Sequence, residues 1–220
     1  MLKIETDNET NTNETTNETN TNYYFGELLN VNMLTIKSIN TFFDISIEYN
    51  TLVICDIDET LLYFPGIDNI WWLNKLNEHY FQTNDHNLAH SLTNKSWAEY
   101  AINTKPQMTD LWGFNCMLCK INETRSKIVF LTARNWSFET KFFTKKNLYD
   151  VGLNPKKYAI YYSHYVPKDE YIRNIMNINL NLYNKVIFID DNDINLTNVN
   201  KTLGHKIECF KFCKNRLSQL

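Results

Sequence analysis

Thr51-Leu52-Val53-Ile54-Cys55-Asp56-Ile57-Asp58-Glu59-Thr60 opens with a short apolar run that stops at a carboxylate. A run of that length, rich in β-branched residues and bounded by polar ones, predicts a strand buried on both faces of a parallel sheet. Four further runs have the same character: Lys127 to Leu131, Tyr158 to Tyr162, Lys185 to Ile189 and Lys206 to Phe212. Helical patterns separate them. Ser137 to Leu148 places Phe138, Phe142 and Phe143 on one expected face. Pro167 to Met176 begins with a first-turn proline, carries Asp169 and Glu170 near its positive end, and repeats Tyr171, Ile172, Ile175 and Met176 at helical spacing. Alternating strand and helix predicts a doubly wound α/β sheet with right-handed crossovers. A helix is also expected over 34–43, ahead of the first strand.

One interval breaks the rhythm. Roughly 70 residues separate the ends of the first two strands, against the roughly 30 that a βαβ unit needs. The extra chain holds Trp72, Leu73, Leu76 and Tyr80 at helical spacing and a polar stretch with Trp97 and Tyr100. A returning helix follows, with Met108, Leu111, Trp112, Leu118 and Cys119. It reads as a small helical cap over the carboxyl edge of the sheet, spanning residues 63–107.

Residues 1–22 are almost wholly Asn, Thr and Glu, a composition that buries too little apolar surface to offset ordering entropy, so they read as a disordered tail ahead of one folded domain over 23–220. Across the 220 residues, 43% are hydrophobic and 14% aromatic, ample for a core, and the net charge of −3 supplies no global basic field for nucleic acid. No run approaches a membrane span and no signal peptide is evident, so a soluble cytoplasmic protein without a membrane partner is expected. The five cysteines are odd in number. Cys116/Cys119 and Cys209/Cys213 form loose pairs, read as buried reduced thiols in preference to a zinc site or disulfides. His86 and His90 share i, i+4 spacing and lie with His79 in the cap. Without a third ligand they read as surface or substrate-facing residues.

The chemistry is concentrated where strands end. The first strand delivers Asp56 and Asp58, the second Thr132, the fourth Asp190 and Asp191. Ligands of open α/β sheets bind beyond the carboxyl ends of the strands, at the point where strand order reverses. Clustered carboxylates repel unless a cation compensates, and an oxygen-only set suits a hard ion such as Mg²⁺. Magnesium implies phosphate, and a carboxylate can serve as the nucleophile toward a phosphoryl group.

The ordered set of segments resembles the haloacid dehalogenase (HAD) superfamily. Asp56-Ile57-Asp58-Glu59-Thr60 after an apolar strand is similar to its first motif, Ile128 to Arg134 with Thr132 to its second, Lys168 at a helix start to its third, and Asp190-Asp191 followed by Asn195 to its fourth. The resemblance implies a Rossmann-like sheet of strand order 5-4-1-2-3. It implies Asp56 as nucleophile, Asp58 as general acid and base, Thr132 as a phosphoryl hydrogen-bond donor, and Lys168 as the fixed charge beside them. It implies Mg²⁺ on Asp56, the Asp58 carbonyl and Asp190, with Asp191 reaching the ion through water, and leaves open which of Asp190 and Asp191 is the direct ligand. Arg134 is carried as a substrate contact. The expected activity is phosphomonoester hydrolysis of a small phosphorylated metabolite or nucleotide, with a phosphoprotein phosphatase and a non-catalytic module of the same fold as alternatives.

Overall fold

The computed structural model describes residues 35–214; the expected tail over 1–22 lies outside them. In chain order the strands are β1 (Lys37–Ile39), β2 (Thr51–Cys55), β3 (Leu62–Tyr63), β4 (Gln107–Met108), β5 (Lys127–Thr132), β6 (Ala159–Tyr162), β7 (Lys185–Asp190) and β8 (Glu208–Phe212). The helices are α1 (Asn69–Thr83), α2 (His86–Asn103), α3 (Leu111–Glu123), α4 (Phe138–Asp150), α5 (Lys168–Glu170) and α6 (Asp193–Leu203). Six strands form one parallel sheet of order β1-β8-β7-β2-β5-β6. Counting β2, β5, β6, β7 and β8 as first to fifth, five of them run 5-4-1-2-3, the Rossmann-like order expected.

Burial explains why these strands read so clearly. All five residues of β2 are buried, as are the last five of β5 and of β7. Alternate side chains enter two separate cores. Val53, Cys55, Phe130, Ile187 and Ile189 face the side covered by Phe114, Met117 and Ile121 of α3. Leu52, Ile54, Val129, Leu131 and Phe188 face the other, covered by Leu196 and Val199 of α6 and by Ile172 and Met176. Strands apolar on both faces lose their period-2 signature and become continuous apolar runs.

Three expectations about helices are corrected. The helix over 34–43 is, within the described residues, the edge strand β1 followed by a single 3₁₀ turn, Phe42–Asp44. Asp110 fixes that turn, its Oδ2 accepting from the Thr41 hydroxyl at 2.6 Å and the Phe42 N–H at 2.9 Å, while Phe42 stacks on Phe212 with ring centroids 4.6 Å apart. Pairing along the free edge of β8 overrides a helix-like apolar spacing. The second correction concerns α4. Phe138 and Phe142 are exposed, at 81% and 65%, and the buried face is Thr140, Phe143, Thr144, Asn147 and Leu148. The third concerns the segment after Pro167, which is a single α-turn continued by a π-helical stretch, Tyr171–Ile175.

Between β3 and β4 the chain forms a helical hairpin. Its two ends meet in an antiparallel ribbon, Leu62 opposite Met108 and Tyr63 opposite Gln107. The stretch read as merely polar is α2, whose buried positions are the small residues Ala89, Thr93 and Ala101. Asp68 caps α1, Asn84 ends it at φ 51°, and Asp85 at once caps α2. His86 stacks on Tyr80 at 4.1 Å and His90 lies 5.1 Å from Trp72, and both histidines stay exposed on the surface of the hairpin. Phe64, Ile67 and Ala101 join Phe143 of α4 in a third core that seats the hairpin on the sheet domain. Cys55 and Cys209 are buried as expected, whereas Cys119 is exposed on α3. No helix among the described residues is long and apolar enough to cross a membrane.

Candidate active site

Strands β2 and β7 are hydrogen-bonded neighbours, and both end in acid. The Asp56 N–H donates to the Ile189 carbonyl at 2.9 Å, which continues the ladder one residue beyond β2 and draws Asp56 to the side of Asp190. Past Asp56 the chain turns tightly. Leu61 and Leu62 N–H both donate to the Ile57 carbonyl, and Glu59 sits at φ 62°, a left-handed conformation uncommon for a residue with a side chain. The turn is held because Thr60, Leu61 and Leu62 are fully buried. It aims Asp58 toward the end of β5.

Lys168 joins the acids. Pro167 enters at φ −50° and directs the first helical side chain inward, where Lys168 is 4% exposed. Its Nζ donates to Asp56 Oδ1 and, at 2.7 Å, to Asp190 Oδ2. Asp190 Oδ1 accepts from the Asn192 N–H at 2.8 Å, and the Asn195 amide donates to both Asp190 oxygens at 3.2 Å. Asp191 Oδ1 accepts from the Thr60 hydroxyl at 3.3 Å.

Asp56, Asp190 and Asp191 each offer an oxygen within 4.8 Å of the others, and among the described residues they are the one such group of three or more candidate metal ligands. Burial pushes the Asp56 carboxyl well above the usual carboxylate range. Lys168 works against that shift, while the charges of Asp190, Asp191 and Asp58 add to it. Burial and the neighbouring Asp190 push Asp191 up to about 7. Burial alone would lower the Lys168 pKa, but Asp190 and Asp56 outweigh it and the ammonium is held on. One ammonium facing three crowded carboxylates leaves negative charge uncompensated, and hard oxygen donors at this spacing fit Mg²⁺.

Asp58 belongs to a different network. Arg134 grips it with two bonds, Nε to Oδ2 at 2.9 Å and Nη2 to Oδ1 at 2.6 Å, and the Thr132 hydroxyl donates to Oδ2 at 3.2 Å. The far side of the guanidinium is also occupied, Nη1 donating to Thr144 at 2.9 Å and Asn147 at 3.2 Å. The rings of Phe64, Trp97 and Phe143 surround it at 6.0, 5.0 and 5.2 Å from Cζ. Arg134 is therefore buried and turned onto Asp58, and the cleft residues do not include it. Thr132 is likewise fully buried and faces Asp58.

Above these groups lies a cleft of about 200 Å³. Asp56, Asp58, Lys168, Asp190 and Asp191 form its base, and Phe64, Ile67, Trp72 and Trp97 of the insertion form a wall. The wall residues, and the partners Thr144 and Asn147, were not foreseen from sequence. The inward polar row Thr140, Thr144 and Asn147 on α4 was the available signal for the latter pair.

No family model and no curated protein matches the chain. Several solved structures do. One is the N-terminal part of a Bacteroides fragilis protein containing a phosphatase domain complexed with Mg, at 16% identity over 74% of this chain and 36% of that one, TM-score 0.38. A second is a putative haloacid dehalogenase-like hydrolase from Burkholderia xenovorans LB400, at 13% identity, 72% and 82% coverage, TM-score 0.35. A third is a class C acid phosphatase from Bacillus anthracis with tungstate bound, at 15% identity, 77% and 70% coverage, TM-score 0.40. Similarity at this level leaves the chemistry to be read from the side chains.

Proposed function

We infer that the chain is a Mg²⁺-dependent phosphohydrolase of the HAD type, acting on small phosphomonoesters. One observation carries the reading: Asp56, Asp190 and Asp191 converge with Lys168 at the reversal point of the sheet, while a differently held carboxylate, Asp58, stands two residues beyond Asp56. Asp56, Asp190 and Asp191, with the Asp58 carbonyl, would hold the metal. When bound it neutralises charge on the phosphoryl oxygens.

In the first step an Asp56 oxygen attacks phosphorus and the P–O bond to the leaving group breaks, while Asp58 gives its proton to the departing oxygen. In the second, Asp58 takes a proton from water, the new P–O bond forms, and the Asp56–phosphorus bond breaks. Asp58 Oδ2 is engaged by Thr132 and Arg134, but among the described residues Oδ1 accepts only from Nη2 of Arg134 and so retains a lone pair for that proton. Lys168 holds its charge between Asp56 and Asp190, where an oxyanion would develop. The insertion wall over the cleft favours a small ester over a phosphopeptide.

The test is hydrolysis of para-nitrophenyl phosphate and a metabolite panel, with Mg²⁺ and with chelator. Turnover is expected with Mg²⁺ alone. Asp56→Asn is expected to abolish it, and turnover by that variant equal to the unaltered protein would falsify the mechanism.

A further inference from the structure

We propose that the cleft selects a phosphomonoester whose leaving group is compact, apolar or aromatic, and free of negative charge. The inference rests on the phosphohydrolase reading above and adds the class of alcohol or phenol released.

The leaving group must lie on the side of Asp58, since that carboxyl supplies its proton. Asp58 is tied to the insertion wall by the Arg134 guanidinium, which bonds both its oxygens and lies 5.0 Å from the Trp97 ring and 6.0 Å from Phe64. Trp97 in turn meets Phe64 edge to face at 6.0 Å. What leaves Asp58 therefore emerges against the aromatic side chains of the insertion, with Trp72 and Ile67 completing the wall. Aromatic faces accept planar and aliphatic groups, and cationic ones too.

Charge narrows the choice. Glu59 and Asp68 line the same cleft in addition to the acids at its base. Among the described lining residues Lys168 is the single cation, and it is bound to Asp56 and Asp190. Lys214 approaches Glu59 at 3.5 Å but does not line the cleft. Arg134, beside Asp58, is buried with its donors on Asp58, Thr144 and Asn147. A second phosphate or a carboxylate on the leaving group would therefore meet no free counter-charge among the described lining residues and lie against carboxylates. An anionic group desolvated without a counter-charge is strongly disfavoured.

The test uses the full chain with Mg²⁺ and three esters of similar size and leaving-group acidity: para-ethylphenyl, para-(aminoethyl)phenyl and para-(carboxymethyl)phenyl phosphate. The neutral and cationic esters are expected to exceed the carboxylate in kcat/KM by about tenfold or more, mainly through KM, because one unpaired like charge in a partly screened cleft carries roughly that factor. Asp68→Asn, which retains a capping side chain, should recover part of the deficit. Affinities of the matching benzylphosphonates, measured calorimetrically, give the same selectivity without turnover. Turnover of all three esters at similar kcat/KM overturns the inference and leaves the hydrolase reading intact. Selective phosphonate binding with no turnover of any ester overturns the hydrolase reading and keeps the ligand class. Equal affinity for the neutral and anionic phosphonates, or no binding of either, overturns the inference.

Discussion

Replacing Arg134 with alanine removes both donors from Asp58 and leaves it one contact, the Thr132 hydroxyl at 3.2 Å. It also strips the donor from Asn147 Oδ1 and opens space among Phe64, Trp97 and Phe143. Removing one partner of a buried ion pair costs about 3–5 kcal/mol. Asp58 keeps 29% of its side chain exposed and can recover some hydration, so the lower end applies. A loss of about 3 kcal/mol in a chain of this length lowers Tm by roughly 6–12 °C. Activity should fall further than stability explains. A positioned acid–base group contributes about 10²–10⁴-fold, and Asp58 freed to rotate forfeits about 10² of that in kcat with KM little changed. Arg134→Lys separates the two effects. It restores a charge but not the two-pronged geometry, so Tm should recover by about half while kcat stays at least tenfold down. Thermal unfolding by circular dichroism and steady-state kinetics on para-nitrophenyl phosphate read both quantities. A folded Arg134→Lys or Arg134→Ala enzyme with kcat within about threefold of the unaltered one would show that Arg134 does not orient Asp58.

Other outcomes follow from packing and charge. A Cβ at Gly113 would meet Asp110 Oδ2 at 2.0 Å and Thr41 Oγ1 at 2.3 Å, so Gly113→Ala should destabilise by about 1–3 kcal/mol, read as a drop in Tm. Cys119 is exposed, whereas burial, with Asp190 and Glu208 nearby, pushes the Cys209 thiol up to about 12. At pH 8 a thiol reagent followed by mass spectrometry should therefore modify Cys119 and spare Cys209 until the protein unfolds; rapid labelling of Cys209 in the folded state would contradict its burial. Burial alone would raise the Glu208 carboxyl, but its bonds to Lys185 and Lys37 outweigh that and hold it below its ordinary value. Because the folded value is the lower one, this stabilisation is present above the unfolded carboxylate pKa and is lost as pH falls through the folded value. Glu208→Gln should cost under about 1 kcal/mol at pH 7, and the difference should vanish at acid pH in urea titrations.

The sheet was legible because β2, β5 and β7 are buried on both faces, which writes itself into the chain as unbroken apolar runs. Asp56, Asp58, Thr132 and Asp190-Asp191 were legible as candidates because each lies at or just beyond such a run. β1 was not, since three residues on a sheet edge carry too short a pattern to outweigh a helix-like spacing. The face of α4 was misassigned because Phe138 and Phe142 suggest a core more strongly than Thr140 and Thr144 do; Thr140 finds its partner in Asn135, and Thr144 and Asn147 find theirs in Arg134, 10 and 13 residues away along the chain. The cleft wall was hidden for a similar reason. Phe64 and Trp97 become neighbours only once the α1–α2 hairpin has closed.

That closure takes place across two residue pairs, Leu62 with Met108 and Tyr63 with Gln107. For a segment whose ends are pinned so close together, length carries little entropic penalty: doubling it adds only about 0.6 kcal/mol of closure entropy. What an exchanged hairpin must retain is its packing on the host, Phe64, Ile67 and Ala101 against Phe143 and the rings of Phe64 and Trp97 around Arg134. With those contacts kept, Arg134 and Asp58 stay in place below, and a transplant cut at Leu62 and Met108 is the natural unit for redesigning what the cleft admits.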